Sequence, residues 1–188
     1  AGQIKVEKQL VDYASFIPFY KSTANWCERK DLSGNFITKF WQPNIKKDEG
    51  VNSFIDLSPA LVPLNAGIVF TQFLKPSAKK EICWENSLDN ITNMGLSIKI
   101  SPKNILVWAT YLKDGKPAKN KDVELRNSEN KILWQGKTDG NGLALAPGWG
   151  ELKDVVQESW RAPEIWAFVK DGDNIALIAS SFNDGIQP

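Results

Sequence analysis

The chain has 188 residues, of which 42% are hydrophobic and 24% charged, and its formal net charge is +1 with a sequence pI near 7.9. This composition is that of a globular protein with enough apolar residues for one large domain or two domains of about 90 residues each. Nucleic acid is not an expected partner because there is no broad basic field, and membrane insertion is not expected because no apolar run approaches the roughly 20 residues that span a bilayer.

The first half of the sequence reads as strands interrupted by proline. The stretches IKVEKQLVDY, NFITKFWQ and VNSFIDLS predict strands, and PALVPLN predicts a loop before the apolar run GIVFTQFL. The segment KPSAKKEICWENSLDN, residues 75–90, shows no hydrophobic periodicity and is interpreted as an irregular linker. We therefore place a domain boundary near residue 90, which predicts domains of residues 1–90 and 91–188.

The second half, from Met94 onward, reads as short strands separated by turn sequences. GLSIKIS alternates apolar and polar residues, PKN turns the chain into ILVWATYL, and VELRN, KILWQG, LALAP and EIWAFVKDGDNIALIAS follow. About seven strands at such regular spacing are typical of an antiparallel sandwich. GELKDVVQESW predicts one short helical turn. The predicted fold class is all-β, with two immunoglobulin- or fibronectin-like antiparallel β-sandwich domains in tandem.

The stretch LWQGKTDGNGLALAP, residues 133–147, is compatible with a calcium loop or with a bend between strands. An EF-hand calcium loop closes with a bidentate Glu about twelve positions after its first ligand, whereas here the acidic part runs into the apolar LALAP. Asp139, Gly140, Asn141 and Gly142 are therefore predicted to form a structural hairpin. No metal ligand is expected at this position.

The segment CWEN, residues 83–86, is similar to the Cys-x-Glu-Gln thioester motif, in which a thiol attacks a glutamine carboxamide. Asn86 stands where that motif requires Gln, and its side chain is one methylene shorter. Thioester motifs also lie in helical domains, whereas CWEN falls in the predicted linker. We expect no thioester here.

General acid and base chemistry has few candidate residues in this chain. There is no histidine, which removes the commonest base, the Ser-His-Asp and Cys-His arrangements and most zinc sites. The carboxylate pairs Asp122 with Glu124 and Glu151 with Asp154 are interpreted as solvated faces rather than as a glycosidase pair. The DGKP, DGNG and DGDN turns lack the pattern of a phosphate-binding loop. We expect no catalytic residue, no cofactor and no metal, and therefore no enzyme.

The cysteines and tryptophans leave alternatives open. Each cysteine is adjacent to a tryptophan, Cys27 to Trp26 and Cys83 to Trp84. The two cysteines are interpreted either as one disulfide in an oxidising compartment or as two buried thiols. The eight tryptophans suit a sugar-stacking platform, or packing in a core or between domains. Core or interdomain packing is favoured, and core packing is expected for Trp108 and Trp166 because they lie at apolar positions within predicted strands.

Four segments of the second half belong together: GLSIKI, VWATYLKDGKPA, LWQGKTDGNG and WAFVKDGDNIALI. Together they resemble a macroglobulin domain of the bacterial alpha-2-macroglobulin family, over roughly residues 91–188. FIDLSPALVPLNAGIVFTQF in the first half resembles, more loosely, the end of a preceding macroglobulin domain. Repeats of invasin-type adhesins share some of these features, but the Trp-rich strand before QGKTD and the closing hairpin favour the macroglobulin interpretation.

The resemblance implies a location and a role. Members of this family are periplasmic or cell-envelope proteins of many such domains, in which a protease cleaves an exposed bait segment and a thioester in a distant domain can attach to it. The chain is therefore expected to be an exported scaffold fragment of a broad-spectrum protease inhibitor. Its expected partners are neighbouring macroglobulin domains of the same parent chain and, through the full-length protein, host or competitor proteases. The alternative is an immunoglobulin-like binding module of a bacterial adhesin or carbohydrate-binding protein.

Overall fold

The computed structural model describes residues 3–23, 28–32, 34, 36–42, 54–76, 81–155 and 162–182, with the backbone alone described at residues 76 and 81–84. The chain folds as two compact units, Ala1–Ile91 and Thr92–Pro188. The strands are β1 (Ile4–Val11), β2 (Phe36–Trp41), β3 (Gly67–Pro76), β4 (Glu81–Ile91), β5 (Met94–Ile100), β6 (Asn104–Tyr111), β7 (Asp122–Asn127), β8 (Ile132–Lys137), β9 (Leu143–Pro147), β10 (Ile165–Asp171) and β11 (Asn174–Ala179). All strand pairs are antiparallel within the described residues, which confirms the all-β prediction.

The described helices are short. They are a 3-10 helix at Tyr13–Ser15, α1 (Phe16–Ser22) and α2 (Ser58–Leu61). No helix within the described ranges is long and apolar enough to cross a membrane.

The first unit contains one four-stranded sheet in the order β2-β1-β3-β4. Helix α1 packs on one face, where the rings of Phe19 and Phe70 meet edge to face with centroids 5.2 Å apart. Helix α2 packs on the other face, where Leu61 lies beside Gly67 and Leu10. Because both faces are covered, β1 and β3 are buried on both sides rather than on alternate residues.

The interpretation of residues 75–90 as an irregular linker is wrong for the described residues, because residues 75–76 end β3 and residues 81–90 belong to strand β4, while residues 77–80 lie outside the described part. Strand β4 pairs antiparallel with β3 along its length. The apolar alternation is lost because the polar Asn86 occupies a buried position, where its Nδ2 donates to the main-chain oxygen of Glu28 at 3.2 Å. A β-bulge between Phe73 and Leu74 also shifts the register.

One further prediction about local structure is wrong, and another is tested only in part. Residues 54–57 of the predicted strand VNSFIDLS have no regular structure, and residues 51–53 lie outside the described residues. Asp56 instead accepts a hydrogen bond from the main-chain nitrogen of Ser58 at 2.9 Å and so favours the start of α2.

Residues 156–160 of the predicted helical turn GELKDVVQESW lie outside the described residues, and residues 150–154 form turns. The main-chain nitrogen of Leu152 donates to the oxygen of Gly148 at 3.1 Å, and Asp154 has a positive φ of 65°, which does not continue an α-helix.

The second unit is a sandwich of two sheets, ordered β11-β10-β7-β8 and β5-β6-β9. Its described residues contain the seven predicted strands. Period-two alternation sends every second residue of the strands into one apolar core. The fully buried members of that core are Met94, Ile105, Val107, Ala109, Ala118, Val123, Leu125, Ala144, Ala146, Ile165, Ala167, Val169 and Ala176.

Polar contacts near one end of this sandwich join the two sheets. The Tyr111 hydroxyl at the end of β6 donates to Asp171 Oδ2 at 3.0 Å, and Lys121 Nζ donates to Asp171 Oδ1 at 2.7 Å. Asn174 lies three residues after Asp171. Its Oδ1 accepts a hydrogen bond from the Thr92 hydroxyl at 2.8 Å, which holds the segment that leads into β5. These side chains fix the entry of the chain into the second unit.

We predict that Asp171→Asn lowers the free energy of unfolding by about 0.5–1 kcal/mol at neutral pH, as expected for a partly exposed pair. The hydrogen bond from Lys121 lowers the pKa of Asp171 below its usual value. A lowered pKa in the folded state means that the contribution is complete above the unfolded pKa of about 3.9 and is lost as the pH falls through the folded pKa. Urea unfolding at neutral and acidic pH measures the difference.

The matched control for this variant is Asp173→Asn, because Asp173 is exposed in the same turn. A loss for Asp171→Asn that equals the loss for Asp173→Asn, or that does not shrink in acid, would contradict the assignment.

Candidate interaction surface

The outer face of the three-stranded sheet carries a cluster of exposed apolar side chains. Since Val107 and Ala109 point into the core, Leu106 and Trp108 of β6 point outward. Strand β9 places Leu145 opposite Leu106 and Leu143 opposite Trp108. We name these four residues, Leu106, Trp108, Leu143 and Leu145, the apolar patch.

The side chains of the apolar patch are more exposed to solvent than is usual for large hydrophobic residues. Trp108 is 49% exposed and Leu145 is 66% exposed, and Leu106 and Leu143 are half-buried. The exposed polar residues Ser97 and Lys99 of β5 pair with Trp108 and Leu106 and form one rim of the patch. A contiguous apolar cluster with a polar rim and a tryptophan is typical of a protein interaction site.

The prediction that Trp108 packs in the core is wrong, whereas Trp166 is fully buried. In ILVWATYL nearly every position is apolar, so periodicity alone does not decide which face points inward. The ring of Trp166 meets that of Phe182 edge to face, with centroids 5.3 Å apart. Among the tryptophans described with side chains, Trp134 and Trp149 pack against the core of the second unit.

A charged cluster occupies the face of β7 that points away from the core. Glu124 and Arg126 are each 4% exposed, and Arg126 donates to Glu124 Oε2 from Nη2 at 2.7 Å and from Nε at 3.2 Å. Lys170 donates to Glu124 Oε1 at 2.6 Å. Burial alone would raise the pKa of Glu124, but the hydrogen bonds from Lys170 and Arg126 outweigh it and lower the pKa. Glu124 is therefore ionised at neutral pH and is not a general acid.

The other three carboxylates of the pairs Asp122–Glu124 and Glu151–Asp154 form surface ion pairs or are exposed. Asp122 forms an exposed ion pair with Lys137 at 2.5 Å, which lowers the pKa of Asp122. Asp154 pairs with Lys131 at 2.7 Å, while Glu151 is exposed. No group of three or more cysteine, aspartate or glutamate side chains in the described part of the chain is arranged to hold a metal ion.

The predicted hairpin residues Asp139, Gly140, Asn141 and Gly142 form the turn between β8 and β9. Asp139 Oδ1 accepts from the main-chain nitrogens of Asn141 at 2.8 Å and Leu143 at 2.9 Å. Strands β8 and β9 belong to different sheets, so the turn connects the two layers and is not the loop of two paired strands. Both of these donors to Asp139 Oδ1 are backbone N–H groups, as in an Asx-turn.

The predicted cysteine pair falls largely outside the described part of the chain. Cys27 lies outside it, and Cys83 is described by its backbone alone, opposite Leu74 in the pairing of β4 with β3. The disulfide between Cys27 and Cys83 stays a prediction. Asn86 of CWEN is 5% exposed within a strand.

A polar row that hydrophobic periodicity does not predict crosses the sheet of the first unit. Glu7, Gln72 and Asn86 lie opposite one another on β1, β3 and β4 and are all buried. Gln72 donates to Glu7 Oε2 at 2.7 Å, and it exchanges hydrogen bonds with the main chain of Lys30 at 2.9 and 3.0 Å. In IKVEKQLV Glu7 occupies a position where the alternation expects an exposed polar residue, so the pattern does not indicate its burial.

Comparison with known proteins places the second unit in a defined group. Residues 91–187 match the family described as "Bacterial alpha-2-macroglobulin MG3 domain". Alpha-2-macroglobulins of Xylella fastidiosa strains 9a5c and Temecula1 are each 24% identical to this chain over 110 residues, which is 58% of this chain. The chain spans 7% of the length of these curated relatives.

Solved structures share the fold over nearly the whole chain. The crystal structure of native Escherichia coli alpha-2-macroglobulin spanning domains NIE-MG1 covers 95% of this chain and 83% of its own, with a TM-score of 0.67 and 16% identity. The cryo-EM structure of the native conformation of the E. coli protein covers 94% of this chain and 11% of its own, with a TM-score of 0.55 and 14% identity.

We predict that Gly142→Ala lowers the free energy of unfolding of the second unit by at least about 2 kcal/mol. Gly142 has a φ of 75°, and an added Cβ would lie 2.3 Å from the main-chain oxygen of Ala109. Urea unfolding followed by the NMR cross-peaks of the second unit measures the loss. Gly140→Ala is the control, because nothing lies within 4 Å of its Cβ position, and it should change stability by less than about 0.5 kcal/mol. Equal effects of the two variants would disprove the assigned turn.

We predict that Glu124→Gln destabilises the second unit by about 2–4 kcal/mol, because it removes the negative charge that pairs with buried Arg126 and with partly buried Lys170. The lowered pKa of Glu124 makes its contribution complete above the unfolded pKa of about 4.3 and smaller as the pH falls through the folded pKa. Thermal unfolding from neutral to acidic pH tests both statements, with the exposed Glu129→Gln as control. Wild-type stability in Glu124→Gln at neutral pH would refute them.

Proposed function

Because the chain belongs to the bacterial alpha-2-macroglobulin family, we propose that it is a structural fragment of a larger member of that family and that its function is to position neighbouring domains. The observation that carries the proposal is the apolar patch, which is displayed on a sandwich whose own core is already complete. A surface of this kind is stabilised by contact with another protein surface. We propose that its occupant is an adjacent domain of the same parent chain.

The share of the relatives that the chain covers supports this choice of occupant. It spans 7% of the curated relatives and 11% of the E. coli protein, so a parent chain of that kind supplies many further domains. Covering a side chain such as Trp108 or Leu145 contributes roughly 1–2 kcal/mol, since each is only partly exposed to begin with. Several such contacts suffice to fix the orientation of two tethered domains, which already have a high effective concentration.

The domain organisation belongs to the same proposal. We propose residues 91–188 as the macroglobulin domain and residues 1–90 as a separate preceding domain, and the division after Ile91 supports this boundary. The macroglobulin-like assignment of the first domain rests on the resemblance of FIDLSPALVPLNAGIVFTQF. An exported, periplasmic or cell-envelope location and protease partners are proposed for the parent protein by the same family relationship.

One observation suits the alternative of a carbohydrate-binding module, namely the exposed ring of Trp108. Sugar binding also needs polar groups beside the aromatic ring to bind hydroxyl groups. The described neighbours of Trp108 on β9 are leucines, with Ser97 and Lys99 on one side only. The patch is therefore better suited to an apolar protein surface than to a glycan.

We predict that the double variant Trp108→Ser with Leu145→Ser reduces protease inhibition by the full-length parent protein at least about tenfold, by removing contacts worth about 2 kcal/mol or more. In the isolated chain the same variant should leave the fold intact and lower the free energy of unfolding by no more than about 2–3 kcal/mol, because about half of Trp108 and two thirds of Leu145 are already exposed. Ile132→Ser is the matched control, since Ile132 is 47% exposed on the other sheet.

Two results would contradict the proposed function. One is full inhibition by the parent protein that carries the double variant. The other is inhibition or cleavage of a protease by the isolated chain, which would show a self-contained activity. Saturable glycan binding that Trp108→Ser abolishes would instead support the carbohydrate-binding alternative.

A further inference from the structure

A buried lysine faces a cavity in the first unit. The cavity has a volume of about 240 Å³ and lies on the face of the sheet that carries α2. Its lining residues are Val6, Lys8, Lys39, Phe40, Trp41, Phe54, Ile55 and Asp56. Lys8 is 1% exposed, which makes it one of the largest fully buried side chains of the chain.

Few hydrogen bonds offset the energetic cost of burying the Lys8 ammonium group. Among the described residues this group donates to the main-chain oxygen of Asp56, which is one hydrogen bond, whereas an ammonium group can donate three. Burial lowers the pKa of Lys8, and the charge of Lys39 lowers it further, while Asp56 acts in the opposite direction. A buried charge with so few hydrogen bonds is costly unless a further partner is present.

The carboxylate of Asp56, which lines the cavity, does not form an ion pair with this lysine. Asp56 Oδ1 accepts a hydrogen bond from the main-chain nitrogen of Ser58 at 2.9 Å and so favours the start of α2. Within the described residues, neither Lys8 nor Lys39 forms a salt bridge with a carboxylate oxygen of Asp56. Two lysines and one aspartate therefore give the cavity lining a net positive charge.

A second polar group lies beside the lysine. Thr71 of β3 is directly opposite Lys8 of β1, on the same face of the sheet. Its hydroxyl oxygen is buried and has no hydrogen-bond partner within the described part of the chain. Unsatisfied buried polar groups are rare in folded proteins and call for an explanation.

The rest of the lining is apolar and partly aromatic. Phe54 is 96% exposed, and the ring of Trp41, on the same face of β2 as Lys39, is half-buried. Exposed aromatic side chains around a concave site are typical of ligand-binding pockets, which are mostly apolar with a few polar groups that fix orientation. The volume lies just below the range of roughly 300–1,000 Å³ for drug-sized ligands, so a suitable ligand is small.

We propose that this cavity binds a small amphiphilic carboxylate, with the carboxylate accepting a hydrogen bond from the Lys8 ammonium and an alkyl or aromatic body lying against Trp41 and Phe54. A carboxylate supplies a negative charge to pair with the lysine, and charge-assisted hydrogen bonds are the strong ones. The apolar body covers these two rings. This site is independent of the function proposed above for the second unit.

Isothermal titration calorimetry of the chain with octanoate, octanol and acetate tests the charge and the apolar body separately. We predict saturable octanoate binding at one site, with octanol and acetate at least about tenfold weaker. Equal binding of octanoate and octanol, or no saturable octanoate binding, would overturn the proposal, because a lysine that only holds the Asp56 segment in place would not distinguish these two ligands.

Variants assign the effect to this cavity. Lys8→Met should remove the preference for octanoate over octanol, while Lys75→Met, which changes an exposed lysine at the end of β3, should keep it. Phe54→Ser should weaken octanoate binding without loss of folding, since Phe54 is almost fully exposed, and it provides a second test if Lys8→Met does not fold. A loss of the preference in Lys75→Met equal to that in Lys8→Met, or unchanged octanoate binding in Phe54→Ser, would exclude this site.

Discussion

The packing of two sheets through small and β-branched side chains is the constraint on which the second unit depends. Val107 and Ala109 from one sheet face Val123 and Leu125 from the other across an apolar core. Because successive side chains alternate, every residue that enters this core sends its neighbours to the outside. The apolar patch is a direct consequence, since Trp108 lies between two core residues and has no position inside.

Two kinds of side chain occupy the outer faces of this sandwich. On one sheet, Glu124 and Arg126 are buried and neutralise each other, with Lys170 as a third member. On the other sheet, the apolar patch remains exposed. The first arrangement is complete within the chain, whereas the second gains stability when a further surface covers it. This difference is why the exposed face is the better candidate for contact with a neighbouring domain.

Sequence alone predicted the seven strands of the second unit because regular alternation and turn residues coincide there. It failed for residues 75–90 because Asn86 satisfies a buried position by hydrogen bonding rather than by apolar contact. It also failed for Trp108, because an apolar run does not reveal which face is inside. The burial of Glu7 and Lys8 depends on helices that cover both faces of a sheet, and that is tertiary information. Composition only excluded nucleic-acid and membrane partners, whereas the family resemblance supplied the expected role as a scaffold fragment.

Hydrogen–deuterium exchange of the peptide that covers Leu143–Pro147 tests the central claim most directly. This segment, β9, is an edge strand of its sheet and carries two of the four residues of the apolar patch. If an adjacent domain covers the patch, the amides of this strand should exchange more slowly in the full-length parent protein than in the isolated chain. Identical exchange in the two proteins would contradict the claim that this face contacts a neighbouring domain.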